Sequence, residues 1–120
     1  MTSEDRQLYR TLIDELVREC RQGQGQIGPG RVRTGTWNGN ADSAPDGPPD
    51  QRRINALLAR MGQDDREVLA QMLAEAFQGG MFTTLRVLHH HQVPPFEDGY
   101  EGTPFNDFAG RLDDWPWPAI

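Results

Sequence analysis

Lysine is missing from all 120 residues; the 12 basic side chains are all arginine. That absence removes the Schiff-base amine and the phosphate-binding lysine of a P-loop. Cysteine is nearly missing: Cys20 alone cannot form an intramolecular disulfide and fits a reducing cytoplasm. No apolar run approaches the ~20 residues needed to span a bilayer. The opening MTSEDRQLYR has no signal-peptide core. The expectation is a cytoplasmic protein with no membrane contact. Basic clusters are also lacking. The net charge is −6 and the arginines lie among acids, which disfavours nucleic acid as a partner because such binding neutralises phosphates.

Large aliphatic residues are scarce as well. Leu, Ile, Val and Phe total 24 of 120 residues, at the boundary where chains begin to lack a core. They are clustered, however, so one helical domain over residues 1–120 is expected, with residues 23–47 a flexible glycine-rich insert. Arginine-only basicity beside 13 Gly and nine Pro suggests a GC-rich bacterial genome.

Periodicity places the helices. Residues 3–22 carry two adjacent apolar columns, built from Leu8, Tyr9, Leu12, Ile13, Leu16, Val17 and Cys20, with Thr2 or Ser3 as the cap. Residues 23–47 hold seven glycines in 25 positions, and alternation at Val32, Thr34 and Thr36 permits one short strand before an Asn38-Gly39 turn. A helix over residues 49–61 presents Ile54, Leu57, Leu58 and Met61. Another opens at Asp64 with capping-box spacing to Glu67, carries Val68, Leu69, Met72, Leu73, Ala76 and Phe77, and is expected to end at Gly79-Gly80. A fourth follows through Phe82, Leu85 and Leu88 to about Gln92. Thr103 and Pro104 open a short closing helix. The expected class is all-α: a small bundle of four main helices with an aromatic, proline-rich C-terminal closure.

Motifs that suggest chemistry have simpler explanations. GQGQIG matches G-x-G-x-x-G at Gly23, Gly25 and Gly28, but a helix precedes it and Pro29 follows, the wrong order for a dinucleotide site. His89, His90 and His91 are consecutive, so on a helix they point about 100° apart and cannot face one ion unless the helix unwinds near Pro94, where Glu97 or Asp98 could contribute. His89, four residues after Leu85, is the one expected to be partly buried. Cys20 reads as a core thiol. No cofactor and no metal are assigned.

From Phe96 onward the chain concentrates six of its ten aromatics with Glu97, Asp98, Glu101, Asp107, Asp113 and Asp114 against Arg111 alone. The aromatics can close the core, and Arg111 can pair with Asp107 four residues earlier. The prolines of WPWP hold the tail extended, so burying both Trp115 and Trp117 is difficult and an exposed patch is expected. Residues 93–118, VPPFEDGYEGTPFNDFAGRLDDWPWP, resemble the C-terminal signature of a small bacterial family of unknown function. That resemblance implies a compact helical domain and no assigned activity.

The leading functional expectation is a non-catalytic protein–protein interaction module. Its surface would comprise Tyr100, Trp115, Trp117, Asp98, Glu101 and Arg111, facing an unidentified protein or a second copy in a homodimer. The alternative is a metal- or small-molecule-binding enzyme built on Glu97, Asp98, Glu101, Asp107 and Arg111, with His89, His90 and His91.

Overall fold

The computed structural model describes residues 2–41 and 49–119. These form five α-helices: α1 (Ser3–Gln22), α2 (Ile27–Thr34), α3 (Pro49–Arg60), α4 (Gln63–His90) and α5 (Pro104–Leu112), with a 3₁₀ turn at Gln24–Gln26 between the first two. No strand occurs among the described residues. The all-α class is therefore what the sequence led one to expect, while several boundaries move.

α1 begins with a reciprocal cap. The Asp5 amide donates to the Thr2 hydroxyl at 3.1 Å, and the Asp5 carboxylate accepts from the Thr2 amide. Of its two apolar columns, only Tyr9, Ile13, Val17 and Cys20 turn fully inward. Leu8 stays half exposed, and Leu12 and Leu16 are partly covered.

The strand expected at Val32, Thr34 and Thr36 is replaced by α2. Pro29 occupies the third helical position, where a backbone N–H has no partner within the helix, so proline costs no hydrogen bond there. Gly25 lets the 3₁₀ turn press onto α1 and α4: a Cβ there would lie 2.9 Å from the Cys20 Cα and 2.8 Å from the Phe77 ring. Gly35 then closes α2 at φ 84°, a left-handed conformation suited to glycine. Val32 and Ala41 are buried. The last six residues of the expected flexible insert, 42–47, lie outside the described residues.

The two helices expected to meet at Gly79-Gly80 are one. α4 runs unbroken for 28 residues, about 42 Å. Two interior glycines cost roughly 2 kcal/mol relative to alanine. Phe77 and Met81, on either side, pack against the same cluster and hold the helical register across them. The expected Asp64 cap is also displaced: Gly62 is the N-cap without a side-chain bond, and Asp64 and Asp65 lie in the first turn.

α4 is the spine of the molecule. Around its C-terminal half, α1 and α5 enclose Tyr9, Ile13, Val17, Cys20, Leu85 and Phe108. Around its N-terminal half, α2 and α3 enclose a smaller cluster of Val32, Leu58 and Ala70. The result is elongated, 56 × 29 × 20 Å, with a radius of gyration of 18.4 Å. A compact domain of this length would give about 14 Å.

Candidate functional site

A tyrosine in the middle of an apolar column needs an acceptor for its hydroxyl once buried. Asp107, on the first turns of α5, supplies it. This carboxylate is fully buried and also accepts the backbone N–H groups of Tyr100 at 2.6 Å and Glu101 at 2.7 Å. Burial, and then the bond to Asp107, push the Tyr9 phenol well above its ordinary range. Gly99 makes room for the turn, since a Cβ there would sit 2.9 Å from the Asp107 carboxylate. Asp107 thus ties α1, α5 and the 99–103 turn together and is not paired with Arg111, which corrects the expected salt bridge.

Arg111 instead donates to Asp14 at 2.8 Å and to the Trp115 carbonyl at 2.6 Å. The Trp117 indole donates to the other Asp14 oxygen at 2.9 Å. Arg10 donates to the Tyr100 hydroxyl at 3.2 Å and to the Pro118 carbonyl, and lies over both the Tyr100 and Trp117 rings. Arg21 reaches the Leu112 carbonyl and Asp114. One flank of α1 therefore straps the WPWP tail down. Both tryptophans are partly buried, Trp115 packing on Gly110 and on Trp117. Tyr100, Trp115, Trp117 and Arg111 come together as a cluster, while Asp98 and Glu101 are exposed on the adjoining turn.

The residues of the enzyme alternative disperse. His89, His90 and Glu97 line a cleft of about 440 Å³ with Arg86, Gln92, Thr103 and Phe105. His89 is half-buried, its Nδ1 3.1 Å from the Phe96 carbonyl oxygen. His91 is exposed, Asp107 is committed to its three donors, and Asp98 receives the Gly99 amide. Among the described residues, no three His, Cys, Asp or Glu side chains are grouped to hold a metal ion. Cys20 is buried beside the Met81 sulfur at 3.4 Å, and burial pushes its thiol up, away from nucleophilic use.

A concave surface larger than the His89 cleft lies on the opposite flank of α1 from the tail. A trough of about 680 Å³ runs between α1 and α4, walled by Leu12, Leu16, Phe77, Met81, Leu85 and Leu88. Glu15, Arg18 and Glu19 stand along its α1 side, and Ala76, Gly80 and Thr84 form the smooth α4 side. Sequence reasoning missed this trough because it treated both apolar columns of α1 as core. The available signal was an apolar face on α1 wider than one core needs.

A family model described as a family of unknown function (DUF6547) matches residues 2–119, and the chain belongs to that family. The likeness read from residues 93–118 therefore extends over nearly the whole chain and takes in the glycine-rich segment. No curated protein and no solved structure matches the chain. No helix among the described residues is long and apolar enough to cross a membrane.

Proposed function

We propose that this protein is a non-catalytic interaction module that receives an amphipathic helix of a partner protein in the trough between α1 and α4. The observation that carries the reading is the trough itself, about 680 Å³ of apolar wall left open beside Leu12 and Leu16. Substrate sites of similar volume orient their ligands with convergent polar groups. Here the walls are aliphatic, aromatic or small, and the charges stand at the rim. An apolar helix face suits such walls, and basic residues on its flank would complement Glu15 and Glu19. The cluster of Tyr100, Trp115, Trp117 and Arg111 spends its polar groups within the chain, so its expected role as the contact surface passes to the other flank of α1.

The test places a photo-reactive amino acid at Thr84 in the trough, or at Arg53 on α3, in the protein within its own cells. Adducts from position 84, absent from position 53 and suppressed by Leu12→Glu, are the expected result. No adducts, or equal yields at both positions, would overturn the reading.

A second reading has one observation in its favour. The buried hydroxyl of Thr103 meets no partner, and Thr103 lines the polar cleft of His89, His90, Arg86 and Glu97. A small polar ligand there at 100 times its Kd would add about 2.7 kcal/mol, a melting shift of several degrees. A shift with a divalent cation or metabolite that Glu97→Gln abolishes would promote this reading. A flat screen would remove it.

A further inference from the structure

α4 carries an exposed stripe that neither core uses. Val68, Met72, Ala76, Gly79, Thr83 and Val87 recur at spacings of four, four, three, four and four, and all six are exposed. Val68, Met72 and Val87 are 57%, 59% and 52% exposed. Such positions on a solvated helix are ordinarily charged. Here six uncharged residues recur over about 28 Å of helix, with exposed Glu75 and Arg86 along one edge.

We propose that this stripe is the contact between two copies of the chain, with α4 packed antiparallel on α4 of the second copy about a two-fold axis between Ala76 and Gly79. A two-fold contact must be self-complementary: if one residue meets a second, the second meets the first. The stripe has that symmetry. Reversed on itself about its midpoint, Val68 meets Val87, Met72 meets Thr83, and Ala76 meets Gly79. One turn further out, exposed Asp65 meets exposed His90, so an acid faces a base at each end. The smallest residues fall at the centre, where crossing helices come closest, and larger ones fall where the helices diverge. A Cβ built on Gly79 meets nothing within 4 Å inside its own chain.

The chain exposes 7590 Å², more than a compact folded monomer of 13.5 kDa, which exposes about 6,500 Å². The elongated shape accounts for surface of this kind, and a second copy on α4 would cover part of it. The trough shares Ala76 with this stripe and otherwise faces about a third of a turn further round α4, so the dimer would present two troughs, each bordering the contact.

Sedimentation velocity and light scattering on the full chain, at low and high micromolar concentration, provide the test. The wild type is expected at about twice 13.5 kDa. Gly79→Arg should halve that mass while circular dichroism keeps its helical signal, because arginine is the better helix former and its side chain meets only solvent in the monomer. Thr84→Arg, on the trough side, should remain dimeric. Val68→Cys combined with Val87→Cys should oxidise to a covalent dimer, and Val68→Cys alone should not. A wild type of 13.5 kDa at both concentrations, or a dimer indifferent to Gly79→Arg, would overturn the proposal. Dissociation by Thr84→Arg would overturn it by moving the contact into the trough, and cross-linking of Val68→Cys alone would overturn the antiparallel register.

Discussion

The two ends of α4 are stabilised by different means. At its C-terminal end, α1 and α5 bury six residues, among them Tyr9 and Phe108, and a surrounding shell of aromatics contacts them. A fully buried carboxylate binds that end internally with three hydrogen bonds. At its N-terminal end, Val32, Leu58 and Ala70 make a much smaller core, with Trp37, Ile54, Met61, Leu69 and Leu73 around it. There the polar clamp is Asn55, whose side-chain oxygen accepts the amides of Trp37 at 2.7 Å and Asn38 at 3.1 Å and whose amide donates to the Asn38 carbonyl at 2.7 Å. An ion pair, Arg33 to Glu67 at 2.9 Å, is exposed on both sides and contributes little. One continuous helix therefore joins a well-filled core to a sparse one, and local opening should start at the sparse end.

The C-terminal core depends most heavily on Asp107. Replacing it with alanine leaves the Tyr9 hydroxyl and two backbone amides without their acceptor, at about 1–3 kcal/mol each. Asp107→Ala should therefore lose at least about 3 kcal/mol in urea denaturation. Hydrogen exchange should accelerate in α1 and α5 before α3. A loss under about 1 kcal/mol would mean that the carboxylate is dispensable.

Leu58→Ala strikes the other core and should cost about 2–3 kcal/mol, the lower part of the usual range, because so small a cluster can collapse around the gap. Amide protection should vanish from α3 and α2 while α1 and α5 keep theirs. Equal loss at both ends would show that α4 couples them into one cooperative unit.

Alkaline titration sharpens the contrast with a smaller effect. Folding raises the Tyr9 pKa above its ordinary value near 10. The associated stability is fully present below about pH 10. Above that it falls, because the unfolded chain releases a proton that the folded chain retains, at up to about 1.4 kcal/mol per pH unit. Urea midpoints measured between pH 8 and pH 11 should decline in the wild type and flatten in Tyr9→Phe. An unchanged slope in Tyr9→Phe would remove the tyrosine from the cause.

The smallest change concerns the helix that links the ends. Gly80→Ala should raise the melting temperature modestly, worth about 0.5–1 kcal/mol, since a Cβ there meets nothing within 4 Å and the position is helical. A destabilising result would mean that the helix is interrupted at Gly79-Gly80.

Much of this arrangement was legible in the residues. The bounds of α1 follow from its apolar columns and the Thr2–Asp5 cap, and α5 from Thr103 and Pro104 before Phe105 and Phe108. α2 was not legible, because its glycines and Pro29 read as loop. Helix there depends on tertiary contacts, the burial of Val32 and the close fit of Gly25. Gly79-Gly80 misled for the opposite reason: intrinsic propensity marked a stop, and packing on both sides overrode it. The site was only half readable. The aromatic cluster of Tyr100, Trp115 and Trp117 was visible as a composition, but its attachment to Arg10 and Asp14 depends on pairs about a hundred positions apart. Asp107 looked like one carboxylate among six. The clue to its special role was Tyr9, a phenol in the centre of a buried column.

Those same distant pairs set a schedule for synthesis. Tyr9 and Asp107 are 98 positions apart, and Asp14 and Trp117 are 103 apart. At roughly 5–20 residues per second, α1 waits about 5–20 s on the ribosome before α5, which completes the cover of its inner face, exists. During that interval Tyr9, Ile13 and Val17 are available to any holdase in the cell. The smaller core, drawn from residues 32 to 70, can assemble in the meantime. The sparser half of the molecule is therefore the first that can form, and the better-filled half closes only when α5 and Trp117 emerge.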